Sequence, residues 1–157
     1  MLILIVFILI VSILFAIPSS NEFYTDEVIS SVGVAISEDY HQYGWWQDYT
    51  IYAKYTFENP NFENNEYLEQ MNEENVEKLK YYLACYEDWL DVISDDLKDR
   101  DLVKNYDFDK DIISIDDYCY IYDYTLVDPN FELKPESYNL YFYDTETEIL
   151  YYFHTNI

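Results

Sequence analysis

The stretch Asn72–Ile93, "NEENVEKLKYYLACYEDWLDVI", decides the fold class of this chain. Asn72 can cap a helix whose positive N-terminus is favoured by Glu73, Glu74 and Glu77, and Val76, Leu79, Leu83, Tyr86, Leu90 and Ile93 recur at steps of three and four. That spacing draws one apolar stripe along a long helix. At about 100° per residue Tyr82 and Trp89 widen the stripe, Cys85 falls at its margin, and the helix should fray around "SDDLKDRD".

Outward from the helix the pattern changes to strands. Before it, "VGVAIS" alternates at Val32, Val34 and Ile36, and "YTIYAKYTF" at Ile51, Ala53, Tyr55 and Phe57. The turn-like "QYGWWQD" would join them as a hairpin, although "DEVISSVGVAI" also has helical spacing. After the helix come "YCYIYDYTLV", "YNLYFY" and "EILYYFH". The order predicts an α+β domain: an antiparallel sheet of about five strands with one long amphipathic helix packed on one face, arranged strands, helix, three strands. This order resembles cystatin-like and PepSY-like domains, and "YDTETEILYY" is similar to the Asp-x-x-Thr-Gly turn of the latter, with Glu148 where that turn has Gly. The likeness implies a shared hairpin solution over about a dozen residues.

The first residues belong to something else. "MLILIVFILIVSILFAIP" carries no charge before Pro18, and its 17-residue run would reach roughly 26 Å as a helix against a hydrocarbon core of about 30 Å. Residues 1–20 are therefore expected to be a signal peptide or an N-terminal membrane anchor, with 21–157 a single acidic domain. The location that follows is extracytoplasmic, secreted or tethered by residues 1–17, with the membrane met only through that segment.

The formal charge of −24, from 8 Lys and Arg against 32 Asp and Glu, falls wholly on residues 21–157. Such a field repels nucleic acid and anionic lipid, and leaves cationic partners, metal ions or solubility alone as its uses. With only Gly33 and Gly44 there is no phosphate loop or dinucleotide fingerprint, so no cofactor is expected. There is also no G-x-S-x-G, H-E-x-x-H or C-x-x-C, and His41 and His154 are far apart in sequence.

Two constellations have alternatives. Cys85 and Cys119 read either as a disulfide, which closing a loop of about 35 residues would make worth about 4 kcal/mol, or as two buried thiols. Asp107, Asp109 and Asp111 open like a calcium loop, but Ile112 and Tyr118 stand where an EF-hand needs Gly and Glu, so a solvated acidic loop is the plainer reading.

Tyrosine is the richer signal, with 20 in the chain. If "DTET" closes the last hairpin symmetrically, Phe142 pairs with Ile149, Leu140 with Tyr151 and Tyr138 with Phe153, all on one face. The other face then carries Tyr141, Tyr143, Leu150, Tyr152 and His154. With Cys119 and Ile121 turned to the helix, Tyr118, Tyr120, Tyr122 and Tyr124 join that far face, together with Tyr52. Such a face could take a cationic protein or peptide, or a carbohydrate, or it could lie under a second layer containing Trp45 and Trp46. The function these readings favour is a non-catalytic binding module. A small inhibitor or immunity-type protein that neutralises a basic partner, and a hydrolase with an unrecognised carboxylate pair, are the alternatives.

Overall fold

The computed structural model describes residues 27–45, 48–62, 65–97, 101–124 and 134–156. The leader at residues 1–20 lies outside them, as does Trp46. Residues 27–32 are helical (α1) and are followed by β1 (Ala35–Trp45), β2 (Asp48–Phe57), β3 (Glu69–Gln70) and α2 (Glu73–Leu97). Then come α3 (Asp101–Asn105), a 3-10 turn (Lys110–Ile112), β4 (Tyr118–Asp123), β5 (Ser137–Asp144) and β6 (Ile149–Asn156). The fold is α+β. Among the described residues one six-stranded antiparallel sheet has the order β1-β2-β6-β5-β4-β3, and α2 is the one long helix. The strand beyond the expected five is β3, two residues that pair Glu69 with Cys119 and Gln70 with Tyr118.

Local chemistry explains where α2 starts. Asn72 Oδ1 accepts from the N–H groups of Glu74 and Asn75 at 2.9 and 3.1 Å, and Asn75 Oδ1 accepts in return from Asn72 N–H. This reciprocal cap satisfies first-turn donors that have no partner within the helix. Leu79, Leu83, Tyr86, Leu90 and Ile93 are buried together with Tyr138, Leu140, Phe142, Tyr151 and Phe153 of the sheet. Three polar bonds tie the same surfaces: Tyr86 OH to Ile51 O at 2.8 Å, Tyr138 OH to Tyr82 O at 2.9 Å, and Trp89 Nε1 to Thr50 Oγ1 at 2.8 Å.

The N-terminal strand is a correction. Val32 does not begin a strand but ends α1, fully buried, and β1 runs instead through the polar "SEDYHQYGW" to Trp45. Val34 and Ile36, the expected strand core, stand 74% and 65% exposed. The reason is location: β1 is the last strand of the sheet, its pairing with β2 slips at Ala35/Ser37, and the alternation at Val32, Val34 and Ile36 spans a helix end and a bulge.

The last hairpin closes two positions away from the symmetric arrangement. Asp144 pairs with Ile149, Phe142 with Tyr151 and Leu140 with Phe153, around a loop at residues 145–148. Asp144 sets this register by accepting from Glu146 N–H at 2.9 Å and from the Thr147 hydroxyl, which turns the chain in the manner of an extra peptide group. Because the shift is even, every side chain keeps its face. Buried Asp117 locks the loop from outside, accepting from Thr145 N–H and Oγ1 at 3.0 Å each and from Ser114 N–H at 2.8 Å. Glu148 closes the loop at φ +58°, a left-handed conformation that costs a residue with a Cβ more than glycine. Glu148→Gly should therefore raise stability by about 0.5–1 kcal/mol, read from the urea midpoint at unchanged slope, because the strain relieved exceeds the entropy added to the unfolded chain. A lower midpoint would show that the Glu148 side chain contributes something the backbone account omits.

Candidate functional site

The far face of the sheet is a second core. Tyr141, Tyr143, Leu150 and Tyr152 are buried there with Ile51, Ala53, Tyr55 and Phe57 of β2, beneath Val28, Ile29 and Val32 of α1 and Leu68. Phe62 stacks on Tyr118 with centroids 4.5 Å apart and meets Tyr143 at 4.3 Å, while Tyr67 sits edge-on to Tyr120 at 5.7 Å. Tyr141 and Tyr152 stack at 4.8 Å. The cover over these rings comes from α1 and the segment after β2. Tyr118 and Tyr120 are half-buried, and Tyr122 is 40% exposed.

Tyr52 lies on the opposite face from the one expected. The stripe Ile51, Ala53, Tyr55 and Phe57 turns toward α1, so alternation turns Tyr52 toward α2, where it meets Phe153 at 5.5 Å and Tyr106 at 5.1 Å. Its hydroxyl donates to Asp107 Oδ1 at 2.6 Å, and burial together with that carboxylate pushes its pKa far above the usual tyrosine value.

At one end of the far face, Tyr124, Tyr152 and His154 form a polar cluster. His154 is fully buried, with its ring 4.5 Å from that of Tyr49 and its Nδ1 2.6 Å from Asn139 Oδ1 and 3.1 Å from Tyr124 OH. Tyr152 OH donates to the same Asn139 oxygen at 3.1 Å. These partners assign the ring proton to Nδ1. Nε2 is buried and has no hydrogen-bond partner among the described residues. Burial drives the His154 pKa down to about 4, so the ring is neutral near pH 7.

The cysteines are free, which corrects the disulfide reading. Cys119 is buried beside Lys78, whereas Cys85 is half-buried on the flank of α2 against Tyr81. Seven residues of helix separate positions 78 and 85, a rise of about 10 Å that exceeds the Cα span a disulfide bridges. Desolvation raises both thiols, Cys119 to about 11. Unfolded, unreduced protein should titrate two thiols, and in the folded protein Cys119 should react with a thiol reagent at least about tenfold more slowly than Cys85. Equal rates would place Cys119 at the surface.

Asp107 and Asp109 of the acidic loop turn to partners within the protein. Asp107 is turned to Tyr52 and to Lys54 Nζ at 2.9 Å, which hold its pKa below the usual carboxylate value against the opposing effect of burial. Asp109 caps the 3-10 turn by accepting from Asp111 N–H at 2.9 Å. Among the described residues no three His, Cys, Asp or Glu side chains are grouped to hold a metal.

What the sequence reading missed is the edge formed by β1. Residues 35–40 are exposed along it, and its flank is acidic: Glu38 accepts from Tyr55 OH at 3.0 Å, while Asp39 and Asp107 share Lys54 at 3.3 and 2.9 Å. His41 bridges to α3, its Nδ1 2.7 Å from Asp101 Oδ2. Its Nε2 lies 2.8 Å from Asp39 Oδ1 but out of line for a hydrogen bond. The only signal available beforehand was the polar run "SEDYHQ" inside a stretch long enough to be a strand, the composition with which sheets guard an edge. Comparison of the chain with protein-family models, with curated proteins and with solved structures finds no match.

Proposed function

We propose that the chain is a non-catalytic interaction domain, exported or membrane-tethered through residues 1–17, that takes a basic protein segment along β1. The observation that carries this reading is the outermost strand itself: eleven residues long, exposed over residues 35–40, and bearing Glu38 and Asp39. A sheet edge offers backbone donors and acceptors to an added strand, and the side chains decide which strand is accepted. A second copy of β1 would bring Glu38 and Asp39 against identical carboxylates, and a basic strand would neutralise them. The formal charge of −24 extends that preference beyond contact distance. Neutralisation of a basic toxin or enzyme is the activity this geometry supports best. The buried tyrosines leave no open aromatic platform for a sugar at Tyr141, Tyr143 or Tyr152.

The test uses the full chain with a capped peptide of alternating Arg and Val, and hydrogen exchange as the readout. The peptide should slow exchange of the β1 amides, and the double variant Ile36→Arg, Glu38→Arg should weaken binding at least tenfold, about 1.4 kcal/mol or more. Equal binding of the corresponding Glu-Val peptide, or protection elsewhere than β1, would overturn the reading.

A further inference from the structure

At the opposite edge of the sheet, where β3 ends against β4, a cleft of 220 Å³ opens beside the first turns of α2. Tyr67, Glu69, Asn75, Lys78 and Tyr120 line it. Asn75 is only 9% exposed, and its two amide atoms are unequally used. Oδ1 is held by Asn72 N–H in the reciprocal cap, while Nδ2 is buried with no hydrogen-bond partner among the described residues. A buried N–H donor without an acceptor is a standing cost that an oxygen placed in the cleft would remove. Lys78 supplies a positive charge on the same wall, and Glu69 a negative one on the neighbouring strand.

We propose that this cleft binds a small zwitterion of the amino-acid type, its carboxylate received by Asn75 Nδ2 and Lys78, its ammonium by Glu69 and the rings of Tyr67 and Tyr120. The charge balance selects this class. A simple anion would satisfy Asn75 but enter the field of a chain with formal charge −24, and a simple cation would leave the Asn75 donor idle. A molecule carrying both groups answers each wall and adds no net charge. The two tyrosine rings suit an ammonium, which is drawn to aromatic faces. The volume is below the range usual for larger ligands and suits a few carbon atoms. This site is independent of the β1 edge, so either proposal can fail alone.

The test titrates the full chain, labelled with nitrogen-15, with L-norvaline, valerate and n-butylamine, three molecules matched in carbon chain that differ in which charged group they carry. L-norvaline should shift the Asn75 side-chain amide signals, and valerate and n-butylamine should each bind at least tenfold more weakly. Lys78 and Glu69 are exposed, so Lys78→Gln and Glu69→Gln should keep the fold, checked by an unchanged melting curve, and should each lower L-norvaline affinity at least tenfold. No movement of the Asn75 signals with L-norvaline, equal binding of valerate, or indifference to both substitutions would overturn the proposal.

Discussion

Tyr152→Ala is expected to destabilise the domain by about 3–5 kcal/mol, close to the whole stability of a marginal domain of this size. Tyr152 is 1% exposed, stacks on Tyr141 at 4.8 Å and donates its hydroxyl to Asn139 at 3.1 Å. Truncation would empty a ring-sized volume between β6 and the elements that cover it, and would remove one of the donors to Asn139. Tyr122→Ala, at a ring 40% exposed, should change stability by no more than about 0.5 kcal/mol. The pair separates two uses of tyrosine that composition cannot tell apart. Urea unfolding of the two variants at pH 7 gives the answer, and equal midpoints would mean that the far face is a surface and that α1 does not cover it.

The difference between those two tyrosines shows how far the sequence was legible. The start of α2 was readable because Asn72 and the stripe Leu79, Leu83, Tyr86, Leu90 act within one or two turns, where spacing fixes geometry. The sorting of the last hairpin was also readable, since a two-position shift preserves faces, although the pairing at Asp144 depended on a side-chain turn that periodicity does not report. Burial on both faces was signalled more weakly. "YNLYFY" and "ILYYFH" are almost continuously apolar or aromatic, the composition of strands covered on both sides, while a strand with one wet face would alternate with charge. What no local pattern could supply was the cover itself. Val28, Ile29 and Val32 lie more than a hundred residues before Tyr141 and Tyr152, and their pairing is a tertiary fact. The same limit hid the β1 edge, because only the order of strands in the sheet makes "SEDYHQ" a rim.

Acid should remove about 3 kcal/mol of stability between pH 6.5 and about 4 through one side chain, His154. Its folded pKa is depressed from 6.5 to about 4 by burial, so well above pH 6.5 the ring is neutral in both states and costs nothing. As the pH falls through that window the unfolded chain binds a proton that the folded chain refuses, and the unfolded state is favoured by one proton's worth of free energy per unit. Below the folded pKa both states are protonated and the loss levels off. The direction is clear because Nδ1 is held by Asn139 Oδ1 and the opposite nitrogen, Nε2, has no acceptor among the described residues to receive an added proton. Asp107 behaves in the same sense in a lower window: its depressed pKa contributes stability that is lost only as pH falls below the ordinary carboxylate value of 3.8. Relief of repulsion among the 32 carboxylates works the other way, but it is common to any variant that keeps them. His154→Asn retains an amide donor toward Asn139 and removes the titration. Urea midpoints measured from about pH 8 down to pH 4 should therefore fall more steeply below pH 7 for the natural chain than for the variant, and the two curves should run parallel above pH 7. Parallel curves throughout would show that His154 takes its proton in the folded state as readily as in the unfolded one, and that its site at the end of β6 is open to water.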